Sequence, residues 1–214
     1  MNTSTRSLGI RRKNSEMSEE TRQKIVEAAE NVFCEKGVCN STIEDIALRA
    51  GMTRGAVYWH FRDKHEILCA VLKSVRFPIE DVSPGQSFED SCNRIKAAFL
   101  ETIKMPHALR VAKILLHTSV LTNNQSPVHL RLTSIRLHLK AYFEQVLKSA
   151  ILNGELPKSI DEEELYVLAV TFRAVLTGLL FELMLELDEK TLASEVDLSL
   201  TSFFQLIQLN SGKE

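Results

Sequence analysis

One short run in this 214-residue chain, from Thr53 to His60, carries side chains that burial alone does not explain: Arg54, Gly55, Tyr58, Trp59 and His60. The guanidinium of Arg54 can give two hydrogen bonds to guanine O6 and N7, the commonest specific contact of a protein with a base. Thr53 and Trp59 suit a base edge or a thymine methyl, and Tyr58 and His60 can donate to phosphate. Gly55 inside a helix costs about 1 kcal/mol relative to alanine, and its missing side chain suits close approach of a DNA backbone. Ala56 beside it joins this set, although its helical phase also suits a core. Lys64 and Thr42 stand where helices begin, and the helix dipole with its free N–H groups favours a phosphate there. Phosphate contacts fix position, so sequence reading falls to Arg54 and its neighbours. An ordinary three-helix core with surface aromatics would leave Tyr58 and Trp59, set beside Arg, Gly and His, without a reason.

The flanking sequence supplies helices to hold that run. Thr42 and Asp45 stand at N-cap and N3 spacing, a capping-box variant with aspartate. Ile46, Ala47 and Ala50 continue an apolar stripe at helical period, and Gly51 can enter the left-handed conformation that ends a helix. Thr53 caps the next helix, which runs from Arg54 to about Phe61. Upstream, Ser18 followed by Glu19 and Glu20 predicts a helix start, and Ile25, Ala28, Ala29, Val32 and Phe33 its buried face, with Gly37 as its end. Downstream, Asp63 and Glu66 predict another capping box. The helix it opens, through Ile67, Leu68, Val71, Leu72 and Val75 to Pro78, is expected to exceed about twenty ångström at ~1.5 Å per residue, enough to join two domains. Two short helices at an angle, the second carrying Arg54 near its start, form a helix-turn-helix.

The segment from Arg22 to Leu68, and TRGAVYWHFRDK within it above all, resembles the helix-turn-helix of the tetracycline-repressor (TetR) family of bacterial regulators. The remainder is similar, more loosely, to the AcrR-like repressors of multidrug efflux. The resemblance implies an all-α fold with a small DNA-binding domain, a larger helical domain that encloses small hydrophobic compounds, and a homodimer built on the last two helices. It also implies that ligand binding pulls the two DNA heads out of register on a pseudo-palindromic operator.

Composition agrees with a helical protein touching DNA at one end. Eight glycines and five prolines are too few for the turns of a many-stranded β protein. The net charge is −2, but residues 1–65 hold 11 Lys/Arg against 9 Asp/Glu, and residues 66–214 hold 15 against 19. A locally basic face on an acidic chain suits a specific rather than a general nucleic-acid binder. No run of about 18 uncharged apolar residues suggests a membrane span, the N-terminus lacks a signal-peptide core, and a cytoplasmic location is expected. Cys34, Cys39, Cys69 and Cys92 lack CxxC spacing and read as free thiols, with a redox-sensor role as the alternative. The six histidines show no helical metal spacing, so neither metal nor cofactor is expected. No GxGxxG, P-loop or GxSxG motif supports an enzyme.

The expected organisation is a basic arm over 1–17, read as disordered, with Arg11, Arg12 and Lys13 able to reach DNA or remain solvated; a helix-turn-helix domain over 18–66; and a ligand-binding and dimerisation domain over 67–214. About nine helices are expected in all. The stretch from Phe172 to Leu187 is apolar around most of its circumference, and Val196, Leu198, Leu200, Phe203, Phe204 and Ile207 give the last helix a broad apolar face. These suit either an intrachain core or a four-helix dimer interface, with Leu179 and Phe203 as interface positions and Gly178 permitting close approach. In the middle of the chain, Lys113 and His117 on a leucine-rich helix, with Arg173 on a later one, suit an apolar pocket with a few orienting polar groups. Phe99, Ile103, Leu116, Tyr142 and Phe172 are its candidate lining. Alternatively, Lys113 and Arg173 snorkel to solvent, His117 is a satisfied core residue and the apolar set is simply core. A ligand-responsive repressor of an efflux pump accounts for every part of the chain. A ligand-independent or activating regulator leaves the middle unexplained, and a hydrophobe carrier leaves Arg54 to Lys64 without a role.

Overall fold

The helix ends of the computed structural model follow from the capping residues. The structure describes residues 4–119, 125–182 and 189–210, all of it helix and connecting loop. The apolar stretch toward Leu187 and most of the TNNQSP loop lie partly outside the described residues, as do the side chains of Arg11, Arg12 and Lys13. The chain begins with α1 (Ser4–Lys36), followed by α2 (Ile43–Arg49) and α3 (Arg54–His60). Thr42 caps α2, its hydroxyl accepting from Asp45 N–H at 3.1 Å while the Asp45 carboxylate accepts from Thr42 N–H at 2.9 Å. Thr53 caps α3 by accepting from Ala56 N–H at 3.2 Å. Gly37 and Gly51 take φ of 78° and 66°, the left-handed turns expected of them. Ile25, Ala29, Ile46, Val57, Phe61 and Ile67 close a small core among these helices and the next.

Three expectations change here. Helix α1 starts at Ser4 rather than near Ser18, so the expected arm is helical from that point. No proline interrupts residues 4–17, and extending an existing helix adds a hydrogen bond per residue without a new nucleation cost. Helix α4 (Lys64–Lys73) has ten residues and stops at Ser74, roughly 15 Å rather than over twenty. Its cap is Asp63, accepting from Glu66 N–H at 2.8 Å. The Glu66 carboxylate does not reciprocate but takes the Arg62 N–H at 2.9 Å, so there is no capping box.

Beyond α4 the chain passes through a 3-10 turn, Pro78–Glu80, into α5 (Phe88–Lys104), α6 (Pro106–Ser119), α7 (Pro127–Leu152), α8 (Glu162–Glu182) and α9 (Glu189–Asn210). Ser87 and Ser126 cap α5 and α7, and Pro127 occupies the first turn of α7, where its missing N–H costs nothing. Phe143 of α7 stacks on Phe172 of α8 at 4.1 Å, and Phe203 and Phe204 of α9 close around the pair. Arg131 of α7 forms a forked pair with Glu80 and also donates to Val75 O, holding the 3-10 turn against α7.

By length and composition α8 could cross a bilayer, with a mean hydropathy of 1.6 over its best window. Here Leu165, Ala169, Phe172, Leu176 and Leu179 of that helix turn into the bundle. Only 28% of the window is buried, so a broad face of α8 remains uncovered.

Asp45 gives the head a pH-dependent element. Its carboxylate is held down at about 2, first by the Lys36 ammonium at 2.6 Å, then by the Thr42 hydroxyl and backbone N–H. A depressed carboxylate stabilises the fold above its ordinary value of 3.8, and that contribution is lost as pH falls toward 2. Asp45→Asn should therefore lower the thermal midpoint at neutral pH and flatten its fall between pH 4 and 2. Parallel acid limbs for the two proteins would contradict this.

Candidate nucleic-acid interface and buried cavity

Helix α3 presents one buried side chain, Val57, and an exposed face made of Arg54, Gly55, Tyr58 and Trp59. Trp59 is 84% exposed, far more than an indole needs for any role inside the chain. Arg54 lies along this face. It pairs with Glu44 of α2, donates to the Tyr58 hydroxyl at 3.2 Å and sits 5.3 Å from the Tyr58 ring centroid. Both members of the Arg54–Glu44 pair are more than half exposed, so the pair is weak and exchangeable. A Cβ added at Gly55 would meet nothing closer than Thr53 Oγ1 at 3.9 Å. Nothing inside the chain therefore requires a glycine there, as expected if the constraint comes from outside. Ala56 and His60 are half-buried beside Val57.

Two of the expected phosphate contacts change character. Lys64 Nζ donates to the carbonyls of Val38 and Ser41 at 2.7 Å each, and of Cys39 at 3.4 Å. The ammonium thus clamps the α1–α2 loop instead of standing free for DNA, because three convergent carbonyls satisfy all its protons. The Thr42 hydroxyl accepts from Asp45 N–H and donates to the Asp45 carboxylate at 2.8 Å. It can touch DNA only as a side chain already engaged in its cap.

Between α5, α6, α7 and α8 lies a cavity of about 430 Å³. Leu115 and Leu116 of α6, Ile135 and Leu139 of α7, and Leu180 of α8 form most of its wall, with Phe77 and Ile79 entering from the turn after α4. Its polar groups are Thr102, His129, Thr133, Arg136, Arg173 and Thr177. Of the eight candidate lining residues, Leu116 and Arg173 are at the cavity and the other six are not. Phe99, Ile103 and Phe172 are buried core, and the Tyr142 hydroxyl donates to Ser91 O at 2.8 Å deep in the bundle. Lys113 lies on the α1 side of α6, near Cys34, and His117 is exposed. Helical spacing places a residue on a stripe, but which neighbour covers that stripe depends on packing that spacing does not encode. His129 and Arg136 were missed for that reason. They are polar interruptions in leucine-rich α7, the same signal that marked α6. Burial pushes the Cys34 thiol up despite Lys113 and Arg110 nearby, and raises that of Cys92 further. Both are poor nucleophiles, which weighs against these two as redox sensors.

Glu30 of α1, 1% exposed, joins the DNA-proximal helices to the cavity helices. One carboxylate oxygen pairs with Arg110 of α6. The other lies against His107 Nδ1 of the same helix, a contact that is ionic only when the imidazole is protonated, and has no hydrogen bond of its own among the described residues. The other His107 nitrogen lies 3.2 Å from the Ser74 hydroxyl at the end of α4.

The model of the bacterial regulatory proteins, tetR family, matches residues 25–71, the stretch from α1 through α4. Over 198 residues the chain is 36% identical to the HTH-type transcriptional regulator SrpR of Pseudomonas putida, covering 92% of this chain and 90% of that protein. The chain belongs to the tetR family. Among solved structures, this tetR-family regulator is similar to SmeT bound to triclosan, with a TM-score of 0.69, 26% identity, and 87% and 91% of the two chains covered. It is likewise similar to NalD, the secondary repressor of the MexAB-OprM multidrug efflux pump in Pseudomonas aeruginosa. There the TM-score is 0.67 at 26% identity, over 88% and 96% of the chains. Family membership makes residues 25–71 a DNA-binding helix-turn-helix region and the whole chain a transcriptional regulator.

Arg54→Ala should weaken binding to the regulator's operator by about 1–3 kcal/mol and relax one base position per half-site. Lys64→Ala should instead lower the thermal midpoint, since charge-assisted bonds contribute about 1.5–3 kcal/mol, and leave the salt slope of DNA binding unchanged. Operator titrations at several salt concentrations, beside thermal melts, separate the two. A salt slope that flattens by about one in Lys64→Ala would restore its phosphate role.

Proposed function

We propose that this regulator is a homodimeric repressor of a multidrug efflux pump, acting in the cytoplasm, bound to a pseudo-palindromic operator and released when an amphipathic compound fills the cavity. The observation that carries this reading is the sharing of α6. The helix whose Leu115 and Leu116 wall the cavity also holds Glu30 of the DNA-proximal helices through His107 and Arg110. A compound that displaces α6 must move Glu30 with it or strip Arg110 from a buried carboxylate. With α4 only ten residues long, the route runs through α6 and α1, with α4 joined by Ser74. NalD is a repressor of a multidrug efflux pump, as is SmeT, which has been solved in complex with triclosan, and both support the same target class and ligand type.

The dimer rests on the uncovered faces of α8 and α9. Tyr166, Val167 and Phe181 on α8, and Leu198 and Leu206 on α9, are each at least half exposed. Nothing lies within 4 Å of a Cβ built on Gly178, so a second helix has room to approach there. Leu179 and Phe203, expected on this interface, instead pack within the chain, Phe203 against Phe143 and Phe172. Leu198→Asp or Phe181→Asp should therefore give a folded monomer, because the charge is buried only on association. Sedimentation that shows an unmutated monomer at micromolar concentration would sink the dimer.

Fluorescence anisotropy of a labelled operator against a scrambled duplex at matched salt, with increasing hydrophobic amphipath, tests the function as a whole. Specific binding that the compound reverses is the expected result, and specific binding that no compound reverses would favour a ligand-independent regulator. In the same assay Glu30→Gln should bind compound within about twofold of the parent while losing most of the 5- to 150-fold typical of allosteric coupling. Full release by compound in Glu30→Gln would move the route elsewhere.

A further inference from the structure

The cavity carries charge of one sign only. Its lining includes Arg136 and Arg173, and no aspartate or glutamate. Arg173 Nε is buried and has no hydrogen-bond partner, and among the described residues no carboxylate pairs with its guanidinium. Glu80, on the turn that brings Ile79 to the wall, is already taken by Arg131. The threonines add no free donors at two positions, since Thr102 donates to Ala98 O and Thr177 to Arg173 O. Arg173 is half-buried, and its covered Nε–H, left without an acceptor, carries a cost that a bound acceptor would remove. Its planar fork is matched in shape and charge by a carboxylate or similar oxyanion.

Resting on the reading of this cavity as the effector site, we infer that its ligands are amphipaths ending in an anionic oxygen. That oxygen accepts from Arg173, while the apolar body lies against Leu115, Ile135, Leu139 and Leu180. Cationic amphipaths of the same shape are rejected, because they would meet two guanidinium groups and no carboxylate. The charge of the polar end, rather than hydrophobicity alone, then decides which compounds the regulator senses.

Three probes of one skeleton test this: biphenyl-4-carboxylate, its methyl ester and biphenyl-4-ylmethylamine, titrated calorimetrically into the full chain without DNA. The carboxylate should bind at least about tenfold tighter than the amine, the scale of a charge-assisted hydrogen bond. Arg173→Met should erase that preference while keeping ester affinity, and Arg173→Lys should keep the preference but weaken carboxylate binding, having the charge without the fork. Arg136→Met should retain most of the preference. Should Arg173→Met fail to fold, the ranking of the three probes on the unmodified chain and Arg173→Lys decides alone. Amine binding equal to or tighter than carboxylate, a preference that survives Arg173→Met, or no binding of any probe would each overturn the inference. Operator titrations with the same probes keep the two readings apart. Carboxylate binding that leaves the operator complex intact defeats the effector reading and spares this one. Release by amine and ester as readily as by carboxylate does the reverse.

Discussion

A carboxylate taken out of water must find a partner, and Glu30 finds Arg110, with His107 beside it, across the junction between the helices that carry the DNA face and those that carry the cavity. Withdrawing Arg110 would leave that buried carboxylate without its hydrogen-bonded cation, although the partial exposure of Arg110 and His107 keeps the cost below that of a fully buried pair. The junction is therefore far easier to move as a unit than to open. His107 extends it to the end of α4 through Ser74, so α1, α4 and α6 meet at one polar cluster. The orientation of α3 toward DNA is set through α1 and α2, which are tied by the Lys36–Asp45 and Glu35–Arg49 pairs.

The body is braced the same way at its other polar centre. Arg131 holds the turn at Pro78–Glu80, and with it Phe77 and Ile79, against α7. Those two side chains are also cavity wall. On the proposed function, an occupant thus presses on α6 from one side and on the connection out of α4 from the other. Both are fixed by buried ionic contacts rather than by deformable apolar packing alone. Arg173 is the exception, a charge in the same region whose Nε has no hydrogen-bond partner among the described residues, which on the inference above makes it the natural point of contact for something that comes and goes.

Local chemistry was legible in the sequence wherever neighbours along the chain decide it. The Thr42, Thr53, Ser87 and Ser126 caps and the turns at Gly37 and Gly51 stand where the residue types put them. So does the exposed face of α3, because Tyr58 and Trp59 flank Val57, the residue that must be buried. What the sequence leaves open depends on contacts between distant segments. Lys64 stands at a helix start, a place that favours phosphate, but its ammonium is engaged by carbonyls of the α1–α2 loop, over twenty residues away in sequence. Tyr142 and Phe172 suit pocket wall or core equally from sequence, because aromatics on helices serve both purposes; the Ser91 carbonyl and the Phe143 ring hold them in the core. The Glu30 junction gave no sequence signal, since a glutamate within a charged helix reads as solvated until the helix covering it is known.

Linkage between cavity and DNA face is the claim on which the rest stands, and it is reciprocal by thermodynamic necessity. The most direct measurement is calorimetric titration of one cavity ligand into the free protein and into its complex with operator duplex. Operator should weaken ligand binding by the same factor, within about 5- to 150-fold, by which ligand weakens operator binding. A ligand that binds both forms with equal affinity shifts no equilibrium however tightly it binds, and that result would contradict the account.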